Sequence, residues 1–106
     1  DRFKSVILVM EASNLRRYYP PAGYYYLGEA YLRRDQKNDS QKALQAFQTA
    51  EKLSPNFAPT HKRLGMHYMK SGDKGQALQH FNKYLGLAPS DAQDRSYVQQ
   101  YINSLK

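Results

Sequence analysis

Three histidines, His61, His67 and His80, are the side chains best suited to acid–base work or metal ligation in this cysteine-free chain. The lack of cysteine removes thiol nucleophiles, thiolate metal sites and disulfides. His61 and His67 stand six residues apart, which turns them about 240° from each other on a helix of 3.6 residues per turn. They therefore face different ways. No H-E-x-x-H pattern puts two imidazoles on one helical face for zinc, and no glycine-rich loop offers amides to a phosphate. Glu29 and Asp35 could share general acid–base work only around a cleft, and nothing in the sequence sets them there. The expectation is a non-enzyme with no cofactor and no metal, in which His61 serves as a packing residue.

Binding chemistry is better supported. Sixteen Lys and Arg against nine Asp and Glu give a net charge of +7, with a pI near 9.7, which favours acidic partners. The cations come in pairs, Arg16-Arg17, Arg33-Arg34 and Lys62-Arg63, or alone, as Lys37, Lys42, Lys70 and Lys74. No run reaches the five or six that marks a nucleic-acid tail, so nucleic acid is an unlikely partner by this reading. Ten tyrosines supply large contact area with few rotatable bonds, although most tyrosines in helical proteins pack with the hydroxyl kept wet.

The elements that must position these residues are legible from an internal duplication. Leu27, Gly28 and Tyr31 recur 37 residues later as Leu64, Gly65 and Tyr68. Ala43, Phe47 and Pro55 recur 34 residues later as Ala77, Phe81 and Pro89. The change of offset places a three-residue insertion within the polar run RRDQKNDSQK, a stretch suited to a loop. Leu27 with Tyr31, and Leu64 with Tyr68, have the i, i+4 spacing of one helical face. Gly28 and Gly65 sit one position along, where a missing side chain lets a neighbouring helix come close; Phe47 and Phe81 would fill that space. Pro55 and Pro89 end apolar runs and stop helices. Asp73 with Gln76, and Ser90 with Gln93, have capping-box spacing, and Asn56 is placed to cap the helix after Pro55. The pattern predicts helices near 22–34, 40–53, 57–70, 74–86 and 91–105. The pattern of the apolar run Val6–Met10 fits a strand or a helix alike, and a helix near 2–17 is the expectation.

The order L-G-x-x-Y, A-x-x-x-F and then proline resembles the tetratricopeptide repeat, a 34-residue helix–turn–helix unit. The resemblance covers about two thirds of the chain. It implies an all-α, right-handed α-α superhelix of two repeats in a single domain. An N-terminal helix would occupy 1–20, the repeats 21–57 and 58–91, and a C-terminal capping helix 92–106. It also implies an inner groove lined by the first helix of each repeat, which maps to Tyr25, Tyr26, Glu29 and Arg33 and to Lys62, Arg63, Met66 and Lys70. Members that grip a C-terminal carboxylate use Lys and Asn where this chain has Tyr25, Glu29 and Arg63, so that mode is disfavoured. The run from Pro55 to Leu105 is similar to bacterial envelope-associated proteins of that family and to the repeat tails of some metallopeptidases, implying a periplasmic or envelope location with the cytoplasm as the alternative.

The reading that follows is a protein-interaction scaffold that holds an acidic and apolar protein or peptide segment in the groove. Electrostatic binding of RNA or another polyanion is the rival, and homo-oligomerisation through an open N-terminal edge is a third option. The start at Asp1 without Met fits a fragment of a longer protein, and it also fits processing. No apolar run approaches the ~18 residues that span a membrane.

Overall fold

The computed structural model describes residues 21–106, and these form five helices with no strand among them. They are α1 (Pro21–Arg34), α2 (Asp39–Leu53), α3 (Ala58–Ser71), α4 (Lys74–Leu87) and α5 (Arg95–Leu105). The all-α expectation holds, and each helix falls within a few residues of its predicted range. The helix expected near 2–17 lies outside the described residues. The chain divides after Ser54 into two compact units, the first holding α1 and α2 and the second α3, α4 and α5.

In the first unit α1 and α2 pair as a hairpin around Tyr24, Leu27, Ala30 and Tyr31 from one helix and Ala43, Ala46, Phe47 and Ala50 from the other. The predicted insertion falls on the connection 35–38. There Asp35 and Asn38 adopt φ of 51° and 68°, a left-handed geometry that Asp and Asn tolerate better than other side chains. Asp39, the first residue of α2, is fully buried and receives both arms of Arg34: Nε donates to Oδ2 at 2.8 Å and Nη2 to Oδ1 at 2.7 Å. The Gln36 N–H adds a third bond to Oδ2 at 2.9 Å. The Arg34 guanidinium, with the Gln36 amide, holds the Asp39 carboxyl down at about 2 against the pull of burial.

The second unit repeats the hairpin with α3 and α4, closed by Gly72 at φ 87°. Its turn hydrogen-bonds back from the Asp73 N–H to the Tyr68 carbonyl at 2.9 Å. Asp73 caps α4 as expected: Gln76 donates its N–H to Oδ1 at 3.1 Å and its side-chain amide to Oδ2 at 3.0 Å. α5 then lays Val98 and Ile102 against Ala77, Phe81 and Tyr84, and Tyr101 stacks on Phe81 at 5.5 Å. Among the described residues no helix is long and apolar enough to cross a membrane.

Two capping expectations need correction. The residue before α3 is Phe57 in extended geometry with no side-chain cap, so Asn56 does not serve; Pro59 in the first turn fixes the helical φ instead. The Ser90–Gln93 box is not formed, because residues 89–94 turn and α5 begins only at Arg95. The Arg95 guanidinium explains the delay. Its Nη1 reaches back to the Leu85 and Ala88 carbonyls at 2.7 and 3.0 Å, closing the C-terminus of α4.

Candidate functional site

The eight residues expected to line a groove lie on α1 and α3, four in each unit. On α1 the core face takes Tyr24, Leu27, Ala30 and Tyr31, which turns Tyr26, Glu29 and Arg33 outward at i+3 and i+4 spacing. Tyr26 is 57% exposed and Arg33 is exposed, whereas Glu29 is half-buried. Tyr25 is half-buried as well. Its ring leans on Phe47 at 5.8 Å and receives Tyr26 edge-on at 5.3 Å. Tyr25 therefore packs, and Tyr26 is the aromatic of this face offered to solvent.

On α3, Lys62, Met66 and Lys70 follow one another at i+4, with Arg63 beside them. Lys62 is committed within its own unit, since Nζ donates to Asp94 Oδ2 at 2.6 Å. Asp94 is the residue before α5, so this ion pair ties the start of the last helix to α3. The same carboxylate faces Tyr84, whose phenol is pushed above its ordinary value first by burial and then by Asp94, with Arg95 opposing. Arg63 extends along the helix to within 3.9 Å of the Met66 sulfur. Met66 is half-buried against the cluster of Phe81, Tyr84, Val98 and Ile102. Lys70 is exposed at the end of α3, and Lys74 is exposed at the start of α4.

The opposite side of α3 carries an arrangement of another kind. His61 is 1% exposed and His80 7%. Their Nδ1 atoms face each other at 3.2 Å, and the rings lie 24° from parallel with centroids 5.4 Å apart. His61 Nε2 is 2.6 Å from the Pro55 carbonyl oxygen, and Tyr68 stacks on His80 at 5.6 Å. A carbonyl oxygen can only accept, so His61 carries a proton on Nε2, and the neutral ring then presents a lone pair at Nδ1. His80 must then donate from Nδ1. His67 lies apart from this pair, edge-on to Tyr68 at 5.4 Å.

A family model for regulator of microtubule dynamics protein 1-3 matches residues 39–106, more than half of the chain and all of α2 to α5. The chain belongs to this family. No curated protein matches it. Membership in the regulator of microtubule dynamics family corrects the tetratricopeptide assignment made from the duplicated motif. It corrects the bacterial envelope expectation too, because the family is of eukaryotic type. What the motif captured is local physics. Leu-Gly-x-x-Tyr opposite Ala-x-x-x-Phe encodes a close helical hairpin, and a close hairpin is not proprietary to one family.

Sequence reasoning missed the partners rather than the helices. Arg34 with Asp39, Lys62 with Asp94 and His61 with His80 are 5, 32 and 19 residues apart, and only the first falls within reach of a local spacing rule. The usable signal for the histidine pair was the Gly65–Phe81 register. It brings α4 against α3 close to both positions.

Proposed function

We propose that this chain is a protein-interaction module whose basic helical surface docks an acidic protein partner. Membership in the regulator of microtubule dynamics family supports placing that partner on the microtubule or among the proteins that act on it. The observation that carries the proposal is the charge excess of +7, including exposed cations such as Lys70 and Lys74 inside the matched region. Such charge steers encounter and selects an acidic surface more than it supplies raw affinity. Tyr26 and Arg33 on α1 would add an aromatic and a cationic contact of the kind enriched at interfaces.

The test is co-sedimentation of the full 106-residue chain with polymerised microtubules across a salt series. Binding that falls with salt, and falls further in Lys70→Glu/Lys74→Glu, is the expected result. A chain that stays in the supernatant at low salt would refute the microtubule as the direct partner. Equal retention by a length of RNA would favour general polyanion binding instead.

A further inference from the structure

We propose that His61 and His80 form a binding site for one zinc-like transition-metal ion in the second unit. The site is independent of the acidic-partner surface. Four observations converge on it. The two Nδ1 atoms are 3.2 Å apart. Two imidazole nitrogens bound to one tetrahedral zinc, each at about 2.0–2.1 Å, stand roughly 3.3–3.4 Å from one another, so the separation already matches, and the rings, which meet nearly head-on, need only tilt toward a common point to take an ion. The Pro55 carbonyl accepts from His61 Nε2 at 2.6 Å, which is the outer hydrogen bond that orients a ligating histidine and leaves its other nitrogen basic. Both rings are nearly buried and Tyr68 stacks on His80, so the two nitrogens are held beside each other before an ion arrives.

The proton balance is closed. In the metal-free pair His61 is protonated at Nε2 and His80 at Nδ1. The ion replaces the bridging proton, His80 takes that proton at Nε2, and both Nδ1 lone pairs go to the metal. No net proton is released from the neutral pair. Imidazole ligands without thiolate suit zinc, copper or nickel rather than magnesium or calcium.

The experiment is a zinc titration of the full chain followed by two-bond proton–nitrogen correlation of the three imidazoles. Metal-free protein should show His80 as the Nδ1–H tautomer. With zinc, His80 should convert to the Nε2–H tautomer, and Nδ1 of His61 and of His80 should both shift while His67 does not. His80→Ala should weaken binding roughly tenfold or more, as His67→Ala should not. The tautomer readout needs only the native sequence, so an unstable variant leaves the test intact. Zinc that perturbs His67 alone, or that moves no imidazole nitrogen at millimolar concentration, would overturn the site.

Discussion

The Phe81 ring occupies the place where a side chain on residue 65 would begin: an ideal Cβ on Gly65 would stand 2.6 Å from the ring. Gly28 and Phe47 have the same relationship in the first hairpin, also at 2.6 Å. Replacing a helical glycine by alanine ordinarily gains about 1 kcal/mol, whereas overpacking a filled core costs about 1–3 kcal/mol. Phe81 is fully buried and cannot swing aside, so the second effect wins. Gly65→Ala should destabilise the protein by up to about 2 kcal/mol. Gly86→Ala, where nothing lies within 4 Å of the new Cβ, should stabilise it by up to about 1 kcal/mol. Urea denaturation of the two variants decides the matter, and equal signs would refute the close-contact account.

Asp39 predicts a specific acid response. Its folded value of about 2 lies below its ordinary 3.8, so its ion pair contributes fully above pH 4 and is lost as pH falls through 2. Asp39→Asn should cost roughly 1–2 kcal/mol at neutral pH, the lower end reflecting Arg34's partial exposure. The stability gap between wild type and variant should close between about pH 4 and 2. A gap that stays constant on denaturation across that window would show that the Arg34 pair contributes nothing.

Lys62 illustrates how a binding candidate acquires a structural task. Its 2.6 Å contact with Asp94 joins α3 to the start of α5, with the lysine mostly covered and the aspartate half-open. Coupling in a double-mutant cycle of Lys62→Met and Asp94→Asn should be about 0.5–1 kcal/mol, near the upper range for such pairs. Charge reversal at Lys62 therefore perturbs the second unit as well as any partner surface. Zero coupling would return Lys62 to the list of available cations.

What the sequence made legible was whatever repeats at short range. Leu27 with Tyr31, and Leu64 with Tyr68, announced helix faces; Gly28 and Gly65 announced close packing; Asp73 with Gln76 announced a cap that forms as expected. The true start of α5 was hidden, because Arg95 bonds to carbonyls 7 and 10 residues back and so competes with the Ser90 box. The histidine pair was hidden for the same reason. Counting along one helix separates His61 from His67 correctly, yet says nothing about His80 on the next. Family membership was misread because a packing motif is shared by every chain that solves the same packing problem.

Thr60 is the one buried side-chain polar atom among the described residues without a hydrogen-bond partner. The residue is completely buried in the first turn of α3. Its hydroxyl was stripped of water without compensation, at a cost of about 1–3 kcal/mol. Valine has the same branched shape and nearly the same helix propensity, and it carries a methyl group in place of the hydroxyl. Thr60→Val should therefore stabilise the protein by about 1–2 kcal/mol, raising Tm by several degrees for a chain of this size. Thr60→Ser keeps the orphan hydroxyl and deletes the methyl, so it should destabilise by about 1 kcal/mol through lost burial. The two variants separate polarity from packing: if both lower Tm, the hydroxyl has a partner in solution and the orphan assignment fails.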